Sequence, residues 1–462
     1  MAARAVGIGL VGFGTIGTGV VKVLRRNADV IARRLGFPLR LVRIADIDTT
    51  RDRGVELAGI RFDADGEGLI RDPEVEIVIE LIGGTGAARR ITLAAIEQGK
   101  HVVTANKALL ALHGREIFAA AAARAVDVAF EASVGGGIPI LRRLREGLAA
   151  NRILSLHGIV NGTTNFVLSE MEKTGAPFEA VLARAQALGY AEADPSTDVD
   201  GIDAAHKLTL LIAMAFGVQL TAKEVPTEGI RGITPLDFEA ASEFGYRIKM
   251  LAIGRERPIP EVGRERPIPQ DGRERPILQD GRRRIEARVH PTLIPAGSLL
   301  SKVDGAMNAI AVHGDAVGRT LFYGAGAGEL PTASAVVGDL MEIAREIQRG
   351  SKGRVAPLSF LPDHLEPLPV VPLGELVGRC YLVFHAADRP GVLGHIASAL
   401  GEHGISIESV LQKKQAAAGG AVPVLLFTHP APEQAVRRAL STIDRRPEIA
   451  APTRLVRIEE EL

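Results

Sequence analysis

Residues 7–21 read "GIGLVGFGTIGTGVV", with Gly12, Gly14 and Gly17 in a G-x-G-x-x-G spacing behind an apolar run and ahead of a helical one. Few patterns restrict a fold more. Gly12 permits a tight turn, Gly14 lets the backbone approach a pyrophosphate, and Gly17 lets helix and strand pack closely. Phe13, Thr15 and Ile16 between them would place main-chain amides at a helix N-terminus, where phosphate charge is favoured. The motif alone is weak, because a glycine-rich turn can exist without a ligand. Its surroundings strengthen it. "VGIGLVG", "LRLVRIAD", "EIVIELIG", "KHVVTANK" and "VDVAFEAS" alternate with helical patterns over the first 140 residues. That is the rhythm of a parallel sheet with crossover helices, so residues 1–140 are expected to form a Rossmann-type α/β dinucleotide-binding domain.

The second strand-like run ends in Asp46 and Asp48, and an acid there would accept a bond from the ribose hydroxyls of NAD. Arg51 and Arg53 follow and could instead hold the 2′-phosphate of NADP. Both acids could equally face solvent or cap the next helix. The coenzyme is therefore NADP or NAD, with a slight lean to NADP.

Length and charge bound the rest. A chain of 462 residues suggests about three domains. Lys plus Arg and Asp plus Glu both number 55, so no field of one sign steers the protein to nucleic acid or an anionic membrane. The single cysteine, Cys380, excludes an internal disulfide framework and a cysteine-rich metal site and fits a reducing, cytoplasmic setting. Val6–Val21 could pass for a signal peptide, but its glycines fall in the phosphate-binding pattern and no cleavage site follows. "LTLLIAMAFGV" is shorter than the about 20 residues a membrane span needs.

From about Pro139 the pattern turns mainly helical, with strands returning near "RIEARVHPTLI" and a glycine-rich "YGAGAGELPTASAVVGDL" opening a further helix. Residues 141–350 are read as an α+β substrate-binding and dimerisation domain. Within it, residues 254–281 hold three near-copies of a nine-residue unit, "GRERPIPEV", "GRERPIPQD" and "GRERPILQD". With Pro in every unit and few large apolar groups, this stretch is expected to be an exposed insertion between two strands. Residues 351–376 are Pro-rich and expected to act as a semi-rigid linker. Beyond them, a strand, helix, strand, strand, helix, strand order over 377–462 predicts a small α+β module.

The densest group of charged side chains is "LGYAEADPSTDVDGIDAAHK", with Glu192, Asp194, Asp198, Asp200, Asp203 and Lys207. Asp203 and Lys207 are four apart, so on a helix they share a face. That face could bind a zwitterionic small molecule and move a proton. A surface salt bridge beside an acidic capping loop explains the same spacing, and a calcium loop fits it poorly.

The runs "GIVNGTTNFVLSEM", "LGYAEADPSTDVDGIDAAHK", "VHPTLIP" and "YGAGAGELPTASAVVGDL", with "GFGTIGTGVV", "VVTANKALL" and "FEASVGGGIPI" before them, resemble the homoserine dehydrogenase family in order and spacing over residues 5 to about 350. The resemblance implies reversible, NAD(P)-dependent interconversion of homoserine and aspartate 4-semialdehyde in threonine, methionine and isoleucine biosynthesis. It implies Lys207 as general acid/base, Glu192 and Asp203 as ligands of the substrate ammonium, and Lys107 near the nicotinamide and the reacting oxygen. Gly189 and Gly326 would line the coenzyme. The main-chain carbonyls of Glu131, Val134, Gly136 and Ile138 would hold a monovalent cation, sodium by the same resemblance. Ala325 stands where the family usually has proline in "YGPGAG", and the nonapeptide insertion is unusual.

"HAADRPGVLGHIASALGEHGISIESVLQ" resembles the ACT domain, which implies an amino-acid effector, with threonine the leading candidate, and a homodimer or higher homo-oligomer. Two other readings stay open: another NAD(P) oxidoreductase acting on an amino-acid-like substrate, and a nucleotide-binding amino-acid sensor without catalysis.

Overall fold

The computed structural model describes residues 4–258, 283–351, 353–412 and 420–462. The chain divides into two compact units: Met1–Gly162, Ile202–Val225 and Ala306–Leu368 in the first, and Thr163–Gly201, Pro226–Gly305 and Pro369–Leu462 in the second.

The first unit is built on a parallel sheet of β1 (Val6–Val11), β2 (Leu39–Ala45), β3 (Arg61–Asp63), β4 (Ile77–Glu80), β5 (His101–Thr104) and β6 (Val128–Ala129), in the order β3-β2-β1-β4-β5-β6. This is the doubly wound order with its switch point between β1 and β4, where such sheets bind ligands. β1, β4 and β5 are buried along their whole length; β1 is apolar throughout, and β4 and β5 carry apolar runs at Ile77–Ile79 and Val102–Val103. The run that could pass for a signal peptide is therefore central strand β1 and the start of the Thr15–Arg26 helix.

The Glu329–Arg349 helix, which the sequence pattern groups with the middle region, packs into this core. Ala333, Val336, Val337, Leu340 and Ile343 join Val6, Leu10, Val20 and Ile79 in one apolar cluster. Gly19 makes the contact close: a Cβ there would lie 2.7 Å from the Glu329 carbonyl. The unit also holds an antiparallel set in which Met307–Gly314 pairs with both Gly318–Ala325 and Ile153–Ile159. Ile153–Ile159 is a strand inside the region whose pattern reads as mainly helical. The run "LTLLIAMAFGV" lies largely in the Ile202–Phe216 helix, of which every residue from Lys207 to Phe216 is buried. Among the described residues no helix is long and apolar enough to cross a membrane.

In the second unit Tyr246–Pro258 and Arg283–Pro295 form a long antiparallel pair, closing at Pro258 opposite Arg283. Gly254–Pro258, the start of the first nonapeptide, is thus strand and not exposed insertion: Arg255 is buried between Glu286 and Glu459. The remaining repeats lie outside the described residues.

The C-terminal module has the expected order. Val377–Ala387, Ile407–Gln412, Ala421–Thr428 and Ile449–Ile458 form an antiparallel sheet covered by the Val392–Glu402 and Glu433–Ile443 helices. The module does not stand apart within its unit, because Ile449–Ile458 pairs in parallel with Arg283–Pro295 through Arg457 opposite Thr292 and Ile458 opposite Leu293. The Pro-rich stretch is strapped down at two points four residues apart. Glu366 bridges to Val218 in the first unit and Val370 to Ile285 in the second.

Candidate active site

The glycine turn has the shape its spacing predicts. Gly12 has φ +97°, and a Cβ there would lie 2.5 Å from the Leu81 carbonyl oxygen. A Cβ on Gly17 would lie 2.3 Å from the Gly12 carbonyl, whereas Gly14 faces open space. The first turn of the Thr15–Arg26 helix, which holds Thr15, Ile16 and Gly17, has no side-chain cap. The residues therefore fit a pyrophosphate cradle: two glycines are forced by packing, and the third leaves room for a ligand.

Asp46 is drawn into this turn. Its Oδ2 accepts from the Phe13 amide at 2.5 Å and its Oδ1 from the Asp48 amide at 2.8 Å. Arg51 is exposed on the turn after β2. Arg53 instead lies against the glycine turn, donating to the Phe13 carbonyl at 2.8 Å with its guanidinium 5.0 Å from the Phe13 ring centroid. Two arginines two residues apart have no pattern that tells them apart in sequence.

The three chemically most telling residues meet in the first unit. Asp203 and Lys207 lie one turn apart on the Ile202–Phe216 helix, and Lys107 is the first residue of the Lys107–Arg124 helix. Asp203 Oδ1 lies 2.9 Å from Lys107 Nζ, and Oδ2 lies 2.6 Å from Lys207 Nζ. Asn161 donates to Asp203 Oδ2 at 2.8 Å, and Lys207 also donates to the Val160 carbonyl at 2.7 Å. Asp203 and Lys207 are buried, with side chains 5% and 10% exposed, while Lys107 is 38% exposed. The surface salt bridge that spacing alone allows is therefore not what forms. Burial alone would raise the Asp203 carboxyl, but Lys207, Lys107 and Asn161 outweigh it and hold the group well below the usual carboxylate range. Three of its roughly four acceptor directions are taken. Asn161, which spells a glycosylation sequon with Gly162 and Thr163, is an interior partner of this carboxylate that no local pattern distinguishes.

Gly189 and Glu192 lie in the second unit, exposed on the turn after the Phe178–Ala187 helix; Gly189 has φ +77°, and the Glu192 carbonyl accepts from Gln186 at 3.0 Å.

The Glu131–Ile138 loop begins in a 3-10 turn and takes left-handed φ values of +73° and +53° at Gly135 and Gly136. It lies against the "GAGAG" turn. Gly137 donates to the Ala325 carbonyl at 3.0 Å, and a Cβ on Gly136 would lie 2.5 Å from the Gly326 carbonyl oxygen. Gly326 in turn has no room for a side chain, since its Cβ would lie 2.0 Å from Asn308 Nδ2. The Glu131 carboxylate points away from the loop to the amides of Leu141 and Arg142, at 2.9 and 2.7 Å. Its own amide donates to the fully buried Asp339 at 2.8 Å. Of the four carbonyls expected to line a cation site, that of Glu131 accepts from the Val134 amide at 3.4 Å and that of Ile138 from the Ile140 amide at 2.8 Å.

Comparison with known proteins identifies the family. Residues 12–131 match the profile described as homoserine dehydrogenase, NAD binding domain; residues 139–341 match homoserine dehydrogenase, and residues 381–445 match the ACT domain. The chain is 46% identical over 458 residues to the homoserine dehydrogenase of Pseudomonas aeruginosa and 44% identical over 456 residues to that of Neisseria gonorrhoeae, covering 99% of each chain in both cases. The crystal structure of a homoserine dehydrogenase from Thiobacillus denitrificans superposes with a TM-score of 0.88 at 46% identity over 100% of both chains. The structure of the S. aureus enzyme at pH 8.5 gives 0.72 at 28% identity over 99% of both. The chain belongs to the homoserine dehydrogenase family of NAD(P)-dependent oxidoreductases and carries a C-terminal ACT domain.

Proposed function

We propose that the buried Asp203 carboxylate organises the reaction by holding Lys107 and Lys207 on its two oxygens, the observation that carries this reading. A bound coenzyme would supply hydride exchange with the aldehyde carbon of aspartate 4-semialdehyde, reversed from homoserine. In reduction the Lys207 ammonium stabilises the developing alkoxide and donates a proton to it, giving the hydroxyl; in oxidation Lys207 takes that proton back. Lys107 adds a second positive charge beside the reacting oxygen. Asp203 keeps one acceptor direction for the substrate ammonium, and family resemblance assigns Glu192 as its other ligand.

The coenzyme is NADP or NAD, held by Gly12, Phe13, Gly14, Thr15, Ile16 and Gly17, with Gly189 and Gly326 lining its further course. The Arg53 side chain is 7% exposed and ion-paired with Asp46 at 3.5 Å, so the slight lean to NADP rests on Arg51, which is exposed on the turn after β2. The carbonyls of Glu131, Val134, Gly136 and Ile138 hold a monovalent cation, sodium by family resemblance, with a structural role. The ACT domain binds an amino-acid effector, threonine first, and the enzyme works as a cytoplasmic homodimer or higher oligomer on the route to threonine, methionine and isoleucine.

Purified protein assayed with homoserine and each of NADP and NAD tests the reading. Homoserine-dependent reduction of either coenzyme is expected, faster with NADP. Turnover only with other hydroxy acids would favour a different oxidoreductase, and coenzyme binding without turnover a sensor.

A further inference from the structure

Glu80 ends β4 and is fully buried, yet it lies outside the Asp203 cluster. Its carboxylate accepts from the Thr104 hydroxyl at 2.6 Å and from the Ile82 amide at 2.7 Å, with the Asn106 side chain as a third partner. All three are neutral. A carboxylate buried on neutral partners costs stability that an apolar side chain of the same shape would not. Burial accordingly pushes its carboxyl up, against the three hydrogen bonds.

What the arrangement achieves is the lacing of two turns at the carboxyl ends of adjacent central strands, beside the crevice where such sheets bind ligands. Thr104 closes β5 and accepts from the Asn106 amide at 2.9 Å. Asn106 donates to the carbonyls of Ile82 and Gly84, at 3.2 and 2.7 Å, in the turn after β4. Its Oδ1 accepts from the Leu109 amide at 3.0 Å and so caps the helix whose first residue is Lys107. The Ser133 hydroxyl reaches the Thr104 carbonyl at 3.4 Å and ties the Glu131–Ile138 loop to the same corner. The position of Lys107 at Asp203 is thus set by a hydrogen-bonded corner with the Glu80 carboxylate at its centre.

We propose that Glu80 is a positioning residue for the dehydrogenase reaction: through Thr104 and Asn106 it fixes the turn that carries Lys107 to Asp203. The inference rests on the reading that Lys107 acts beside the reacting oxygen. Displacing such a group by about 1 Å can cost about 100-fold in rate.

The test compares Glu80→Ala, Glu80→Gln, Lys107→Met and the double variant Glu80→Ala/Lys107→Met for kcat, homoserine KM, NADPH affinity by fluorescence and thermal midpoint. Glu80→Ala is expected to lower kcat roughly 10- to 100-fold in enzyme that still folds and binds NADPH, with a few-fold change in KM. Glu80→Gln, which keeps the shape and one acceptor, is expected to recover most of that loss. The double variant is expected to be no more than a few-fold slower than Lys107→Met, because residues acting as a unit are not additive. Losses that multiply in the double variant, or a Glu80→Ala enzyme with lowered midpoint and parent kcat, would overturn the proposal. Should Glu80→Ala fail to fold, Thr104→Val reads the same corner, and parent kcat there overturns it equally. A Lys107→Met enzyme with parent kcat would remove the reading of Lys107 and this inference with it; multiplied losses would remove this inference alone.

Discussion

Lys207 Nζ lies 2.6 Å from Asp203 Oδ2, one helical turn apart on the same buried helix. An ammonium held this way is aimed and desolvated before substrate arrives, which is what a proton donor to a developing alkoxide needs. Lys207→Met should therefore lower kcat by roughly 10² to 10⁴ while homoserine KM and coenzyme affinity change far less. Steady-state kinetics on variant shown to bind NADPH reads this directly, and near-parent turnover would remove Lys207 from the chemistry.

Asp203 and Glu192 should separate in the same assays. Asp203→Ala leaves two lysines without their shared anion, so both kcat and homoserine affinity should fall. Glu192 is exposed, and Glu192→Ala should raise homoserine KM with kcat and the thermal midpoint near parent values. A Glu192→Ala enzyme with unchanged KM would leave Asp203 as the ammonium ligand of the pair.

The central sheet was legible because buried parallel strands carry apolar runs, and the glycine spacing marks the turn after β1. Asp203 and Lys207 were legible through their four-residue spacing. Their meeting with Lys107, 96 and 100 positions earlier in the chain, rested on family resemblance, since no local pattern encodes a contact over that separation. Glu80 and Asn161 escaped because each is a lone polar residue whose importance comes from what the fold places beside it, and Arg53 was named with Arg51 but could not be told apart from it. The Ile153–Ile159 strand was hidden in a region where helical patterns dominate, and Gly254–Pro258 was hidden in a repeat whose first copy continues a strand.

The Pro-rich stretch suggests an ACT module that can be cut away without harm to the rest. The second unit argues otherwise. Ile449–Ile458 continues the sheet beside Arg283–Pro295, and Arg457 bonds Glu228 and Glu433 while Arg454 reaches the fully buried Asp237. Truncation after Leu368 would expose the edge of Arg283–Pro295 and remove Arg454 and Tyr381 from Asp237 and Glu459 from Arg255 and Arg288. The truncated chain is expected to lose its cooperative thermal transition or to aggregate, not merely to lose the ACT domain. Circular dichroism melts of the two chains decide it; a soluble truncate with the parent midpoint would show that the shared sheet contributes little.

The repeat insertion gives the converse expectation. The pairing of Tyr246–Pro258 with Arg283–Pro295 closes at Pro258 and Arg283, so removing residues 263–280 keeps every described rung of that ladder. Turnover within a few-fold of parent and an unchanged midpoint are expected, because loop length weighs little on stability. Loss of folding or of the oligomer would assign the repeats a structural role.

Glu286 provides the pH dependence. It is 1% exposed, with Arg257 at 2.7 Å, Arg288 at 2.8 Å and Arg255 at 3.7 Å. Burial alone would raise its carboxyl, but Arg288, Arg255 and Arg257 hold it down to about 2. The folded pKa is then below the unfolded value of about 4.3, so the folded state binds fewer protons between the two. The stabilisation is fully present above about pH 4.3 and is lost as pH falls through about 2. Glu286→Gln should flatten that acid limb and cost about 3–5 kcal/mol at neutral pH, because three guanidinium groups lose their common anion. Urea unfolding followed by circular dichroism from pH 2 to pH 7 measures both effects, and an acid limb unchanged in the variant would place the acid sensitivity elsewhere in the chain.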